Sequence, residues 1–139
     1  MVRTQFDREN SVYMDPNQPL ETRVKDLLGN MTLEEKAAQL GSCWVYQLFG
    51  KEGFSEDKAR DLMGNGLGQI TRIGGASDMT PRECAETANK IQRFLKEDTR
   101  LGIPAIVHEE ACSGLLARGT TVFPQTIGVS CTWNPELVE

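Results

Sequence analysis

Between Gly68 and Val107 the period of the apolar residues changes twice, and that switch restricts the folds open to this chain more than any other feature. Gly68-Gln69-Ile70-Thr71-Arg72-Ile73 is rich in β-branched residues and is followed by Gly74-Gly75, the pattern of a strand running into a turn. Thr80-Pro81-Arg82-Glu83 then combines a hydroxyl cap, a proline at the first helical position and a glutamate able to reach back to the cap. Cys84, Ala88, Ile91 and Leu95 recur at i, i+4, i+7 and i+11, one continuous helical stripe. Arg100 is placed in the last turn, Gly102 follows, and Pro104 blocks continuation. Ala105-Ile106-Val107 is a short apolar run, suited to a strand buried on both faces. Two strands joined by a crossover helix lie parallel, so the middle of the chain predicts a β-α-β unit and an α/β fold.

Upstream, the polar segment before Leu20, with Pro16 and Pro19, reads as an extended arm or turn outside the core. Leu20, Val24, Leu27 and Leu28 mark one face of a short helix that Gly29 is placed to end. Thr32-Leu33-Glu34-Glu35 is a capping box opening a second helix, with Leu33, Ala37 and Leu40 as its expected buried stripe. Cys43 to Phe49 is aromatic and apolar without a clear period; a strand, a loop packed on the core and a binding rim all fit it. A third helix is capped by Ser55, carries Ala59, Leu62 and Met63 inward, and is broken by Gly64-Asn65-Gly66. Asn134-Pro135-Glu136-Leu137 announces one more helix.

Size shapes the expected architecture. The chain has 139 residues, whereas a closed eight-stranded parallel barrel takes about 250. Two or three parallel strands leave open backbone edges. A helix begun at Asn134 and cut at Glu139 is too short to support itself. The expectation is therefore one incomplete domain over residues 1–139, with an arm and helices over about 1–64 and the first β-α-β units over about 65–139.

Charge and cysteine usage narrow the partners. The formal net charge is −5 and no lysine or arginine cluster occurs, so nucleic acid is not an expected partner. No apolar run approaches the roughly 20 residues that span a bilayer, so no membrane is expected either. The first ten residues contain no apolar leader segment. With that start, Cys43, Cys84, Cys112 and Cys131 read as reduced, small core residues of a cytoplasmic protein. Gly64-x-Gly66-x-Gly68 precedes a strand instead of following one, and the zinc pattern begun at His108-Glu109 fails at Cys112. No cofactor or metal is expected.

Chemistry concentrates where the second strand runs out, at Val107-His108-Glu109-Glu110-Ala111-Cys112-Ser113-Gly114. In parallel barrels these strand ends face the active site. Side chains alternate along a strand, so His108 and Glu110 share a face and Glu109 opposes them. A glycosidase pair needs two carboxyl groups roughly 5 to 9 Å apart across the sugar bond. Adjacent residues on opposite faces are badly placed for that, whereas one carboxylate can bind sugar hydroxyls. A solvated pair of glutamates is the plain alternative. Arg72, at the end of the first strand, reaches the same mouth or forms a structural ion pair. Trp44, Tyr46 and Trp133 suit either stacking on a sugar ring or core packing. Nothing orients Cys112 as a nucleophile toward His108.

Four motifs in order carry a resemblance. Met31-Thr32-Leu33-Glu34-Glu35-Lys36-Ala37-Ala38-Gln39-Leu40, Arg100 through Glu110, Phe123-Pro124-Gln125 and Thr132-Trp133-Asn134-Pro135-Glu136-Leu137 resemble the N-terminal part of family 3 glycoside hydrolases. These are the β-glucosidases and β-xylosidases. The resemblance implies the N-terminal portion of a (β/α)8 TIM-type barrel, incomplete in this chain. It implies a retaining, exo-acting enzyme whose Asp nucleophile, acid/base and sugar-binding Lys-His pair all lie downstream of the matched region. It also implies that Glu110 binds hydroxyls of the non-reducing sugar. Ser113-Gly114 stands where that family has His-Gly, so an imidazole contact is lost. The expected substrate-binding residues are Glu110, Arg72 and His108; the expected partners are a β-linked sugar and either the rest of the barrel or another copy of the chain. The alternative is a non-catalytic carbohydrate-binding or assembly module that oligomerises to cover its strand edges.

Overall fold

The computed structural model describes residues 6–137. Its centre is a three-stranded parallel sheet of β1 (Ser42–Trp44), β4 (Gln69–Thr71) and β5 (Ile106–His108), with β4 in the middle. Two short antiparallel strands, β2 (Phe49–Gly50) and β3 (Gly53–Phe54), form a separate hairpin. The helices are α1 (Leu20–Asn30), α2 (Leu33–Gln39), α3 (Glu56–Met63), α4 (Pro81–Glu97) and α5 (Thr126–Ser130). The chain is thus a mixed α/β fold.

The β-α-β unit forms as its period predicts. Thr80 Oγ1 accepts from the Glu83 amide, Glu83 returns a carboxylate to the Thr80 amide, and Pro81 opens α4. Ile91 and Leu95 are fully buried and Phe94 nearly so. They pack with Val45, Leu48, Ala59, Met63 and Ile70 into one core between the sheet and the α3–α4 pair. Apart from Ala59, each of these side chains stabilises the fold by roughly 1.5–3 kcal/mol. The Gln92 side-chain amide both donates to and accepts from the Ala105 backbone, fixing where β5 begins relative to α4.

The ambiguous Cys43–Phe49 segment resolves into β1, a 3-10 turn over Val45–Leu48 and the start of β2. Val45 and Leu48 are fully buried in that turn, which explains an apolar run without a strand or helix period.

Several expectations need correction. The stripe Leu33, Ala37, Leu40 is not buried; Leu40 is 91% exposed, and the residue of α2 that turns inward is Glu35. The cause is electrostatic: Arg100 donates Nε to Glu35 Oε1 at 2.8 Å and Nη2 to Glu35 Oε2 at 2.5 Å. Arg100 also donates to the Asn30 carbonyl, so it fastens the α1–α2 junction to the loop before β5. Arg100 therefore lies beyond α4, which stops at Glu97 with Asp98 as its cap. Strand β5 is not covered on both faces: Ile106 is 67% exposed because no element among the described residues packs over it, and β5 pairs only with β4. The arm before Leu20 does reach the core. Tyr13 is buried and donates its hydroxyl to the Leu101 carbonyl at 2.7 Å; its amide donates to the Asp26 carboxylate and its carbonyl accepts from Arg23 Nε, both on α1. Gly29 lies within α1, and Asn30 ends it. Leu62 is exposed, and the strand expected over 68–73 shortens to Gln69–Thr71. All four cysteines are free thiols, but only Cys43 is buried; Cys112 and Cys131 are exposed. Helix α5 has no capping signal and was not anticipated. At Asn134 the described residues form a 3-10 turn, Pro135–Leu137, in which Asn134 Oδ1 accepts from the Glu136 amide. The continuation of that helix would fall on 138–139, outside the described residues.

Candidate sugar-binding site

Register decides which side chains meet. Trp44 pairs with Thr71 and Thr71 with His108, so the three strands end side by side. Whatever follows each strand is delivered to one rim: Trp44 and Tyr46 from β1, Arg72 from β4, and Glu109 and Glu110 from β5.

Arg72 is the hinge of this rim. Its amide donates to the His108 carbonyl at 2.8 Å, extending the β4–β5 pairing by one bond. Its φ of 59° then turns the chain out of the strand. A left-handed conformation at a residue with a Cβ costs of order 1–2 kcal/mol, so contacts elsewhere must hold it. Three do. Nη1 donates to Glu110 Oε2 at 2.9 Å, Nη2 donates to the Gly75 carbonyl at 3.2 Å, and the guanidinium lies 5.3 Å over the Trp44 ring. Trp44 in turn sits against Tyr46 with ring centroids 5.7 Å apart. The Arg72 Nε is buried without a hydrogen-bond partner among the described residues. Its side chain is 18% exposed and that of Glu110 is 60% exposed. The cation is the packed member of the pair and the carboxylate the open one.

The two glutamates diverge as alternation requires. Glu109 points back under the loop after β4, where Oε1 accepts from the Gly74 amide at 2.7 Å and Oε2 from the Gly75 amide at 3.2 Å. Glu110 points to the rim. Gly74-Gly75 offers two adjacent amides without side chains to obstruct a carboxylate, and these hold Glu109 away from the Arg72–Glu110 pair. His108 closes β5 with its side chain exposed, and its backbone carbonyl accepts the Arg72 amide. The structure thus brings Arg72 and Glu110 together and leaves the His108 imidazole outside their hydrogen bonds.

Other groups nearby are poorly suited to chemistry. Burial, then the Glu109 and Glu83 carboxylates, push the Cys84 thiol above its ordinary range, which disfavours a thiolate. Trp133 is exposed on the final segment at a φ of 54° and contributes nothing to the rim contacts. Ser113, three residues past Glu110, is buried and accepts the Phe123 amide through its carbonyl. Among the described residues no three His, Cys, Asp or Glu side chains gather as a metal site, and no helix is long and apolar enough to cross a membrane.

What this rim offers is one carboxylate oxygen pair held from one side, a fixed cation and an aromatic face, the ingredients for gripping vicinal hydroxyls. Comparison with known proteins identifies the family. Residues 32–139 match the glycosyl hydrolase family 3 N terminal domain. A putative beta-xylosidase of Formosa agariphila is 32% identical over 130 residues, covering 91% of this chain and 17% of that protein. A probable beta-glucosidase C of Aspergillus flavus is 33% identical over 143 residues, covering 95% of this chain and 22% of that protein. A periplasmic beta-glucosidase/beta-xylosidase of Dickeya chrysanthemi is 29% identical over 152 residues, with 95% and 22% covered. The chain spans about a fifth of the length of these curated relatives.

Proposed function

The chain belongs to glycosyl hydrolase family 3, and from that premise we propose that its strand ends form the sugar-holding part of a retaining, exo-acting β-glycosidase barrel that hydrolyses β-glucosides or β-xylosides. One observation carries the reading. Glu110 Oε2 is held by Arg72, while Oε1 has no hydrogen-bond partner among the described residues, at the C-terminal edge of a parallel sheet. A carboxylate anchored at one oxygen and open at the other accepts sugar hydroxyls without first being immobilised.

Retaining hydrolysis needs two carboxyl groups about 5–5.5 Å apart, one free to attack and one to shuttle a proton. In this reading neither glutamate of the rim does so. Glu109 has both oxygens committed to glycine amides, and Glu110 is committed to Arg72 and the sugar. The reacting carboxylates come from other strands of the barrel, and the 139 residues alone bind without turnover. His108 borders the sugar as an exposed side chain.

Titration calorimetry of the chain with methyl β-D-xylopyranoside and methyl β-D-glucopyranoside tests this. The expected result is saturable binding of one of them, in roughly the millimolar range, lost in Glu110→Ala, with no release of nitrophenol from the corresponding aryl glycosides. Hydrolysis by the pure chain that disappears in Glu110→Ala contradicts the division of labour. Affinity unchanged by that substitution contradicts the site.

The exposed apolar residues of β5 favour a second reading, a non-catalytic sugar-binding module that pairs with another copy through this edge. Light scattering decides between them: a cooperatively melting dimer with sugar affinity supports the module, and a monomer removes it.

A further inference from the structure

Glutamates 109 and 110 are adjacent in sequence yet reach the same loop from opposite sides, and the proposed sugar contact uses only one of them. We infer that Glu109 is a positioning residue: a latch that clamps Gly74 and Gly75 so that Arg72 presents Glu110 to the sugar. The inference rests on the reading of Glu110 given above, but its structural half stands without it.

The connections run in series. Glu109 takes the amides of Gly74 and Gly75, one on each oxygen. The Gly75 carbonyl takes Nη2 of Arg72, and Nη1 of the same guanidinium takes Glu110. The Arg72 carbonyl accepts the Ala76 amide at 3.0 Å, closing the turn around the two glycines. Two consecutive glycines are the most mobile backbone a chain can place between a strand and a helix. Arg72 itself occupies a disfavoured conformation. Without a clamp, this turn has every reason to relax, and the guanidinium would move with it.

Space at the glycines is confined by the clamp. A Cβ on Gly75 would lie 2.9 Å from Glu109 Oε2 and 3.1 Å from Arg72 Nε, so any side chain there would separate the two groups. A Cβ on Gly74 would meet Ala117 Cβ at 3.0 Å. Glu109 is also a wall of the apolar cavity formed with Ile73, Met79, Cys84, Val107 and Leu115, of about 340 Å³. Glu109 is a half-buried residue, and the two amide hydrogen bonds sit against this apolar wall. The carboxylate is spent on the backbone, which is why Glu109 does not compete with Glu110 for the sugar.

The test uses the full chain, isotopically labelled, and two readouts. The first is solvent exchange of the Arg72 Nε–H, assigned by its disappearance in Arg72→Lys; this proton is buried and exchanges slowly if the guanidinium is immobile. The second is affinity for methyl β-D-xylopyranoside or its glucoside. Glu109→Gln keeps one acceptor oxygen and turns an NH2 toward the other glycine amide, so it opens the latch without emptying the space. Gly75→Ala opens it from the other side and leaves both glutamates intact. Both are expected to speed Arg72 Nε–H exchange at least tenfold and weaken sugar binding by about fivefold or more, while helix and core amides keep their exchange rates. Unchanged Arg72 exchange in Glu109→Gln and Gly75→Ala overturns the latch. Faster exchange with unaltered sugar affinity also overturns it, because the latch then positions nothing the sugar uses. If the unmodified chain binds neither sugar, the functional reading fails, and the link from Glu109 to sugar fails with it, while the exchange data still report whether Arg72 is held.

Discussion

Replacing Arg100 by alanine is expected to destabilise the chain by about 2 kcal/mol. The Arg100 side chain is 38% exposed, but its partner Glu35 is only 7% exposed. The substitution removes two charge-assisted hydrogen bonds to Glu35, one to the Asn30 carbonyl, and a guanidinium 4.7 Å over the Phe6 ring. Breaking a fully buried pair costs about 3–5 kcal/mol because a charge is left behind. Here water reaches the arginine side, and the Thr32 amide still donates to Glu35 at 2.8 Å, which brings the figure down to about 2 kcal/mol. With a urea slope of about 1–3 kcal/mol/M, the midpoint falls by roughly 1 M. Acid supplies an independent check. Burial alone would raise the Glu35 pKa, but hydrogen bonds from Arg100 and the Thr32 amide outweigh it, and the net shift is downward. A depressed carboxylate contributes stability above its unfolded value of about 4.3 and loses it as pH falls through the folded value. The gap between the parent and Arg100→Ala should therefore be full near pH 7 and narrow once pH drops below about 4. Equal urea midpoints at pH 7, or a gap that persists undiminished in acid, would refute the pairing as the reason Glu35 is buried.

Other substitutions test separate layers of the account. Ile91→Ala empties a fully buried position of α4 and should lower stability by about 2–5 kcal/mol in thermal or urea unfolding; a loss under 1 kcal/mol would mean that the core is not closed around α4. Gly102 has a φ of 64°, and a Cβ there would lie 2.6 Å from Arg8 Nη1, so Gly102→Ala should cost about 1 kcal/mol or more in urea melts. Arg72→Lys keeps the charge but loses the fork and the flat face against Trp44; calorimetry should show sugar affinity down by about tenfold with little change in midpoint.

The elements most legible in the sequence were those whose signals are local. The boxes at Thr32 and Thr80 and the serine cap at Ser55 place three helix starts where they are found, because caps satisfy amides within one turn. The β-α-β unit was legible from period and punctuation. What failed depends on partners distant in sequence. Leu33 and Leu40 have helical spacing, but Glu35 faces inward because Arg100, 65 residues away, draws it there. Tyr13 is buried by Leu101 for the same kind of reason. Residue type singled out Glu110 and Arg72, which the structure joins in one ion pair, and alternation separated Glu109 from Glu110. Neither revealed that Arg72 would adopt a left-handed backbone or that Glu109 would serve the glycine turn, since both depend on contacts between β4 and β5, over 30 residues apart in sequence.

Everything said of function turns on whether the aligned ends of three parallel strands form one sugar-binding rim. Amide and side-chain NMR of the labelled chain, titrated with methyl β-D-xylopyranoside and its glucoside, tests that directly. The account predicts saturable shifts concentrated at Trp44, Arg72 and Glu110, with the α1–α2 face silent. Saturable shifts confined to any other surface, or none with either sugar, would contradict it.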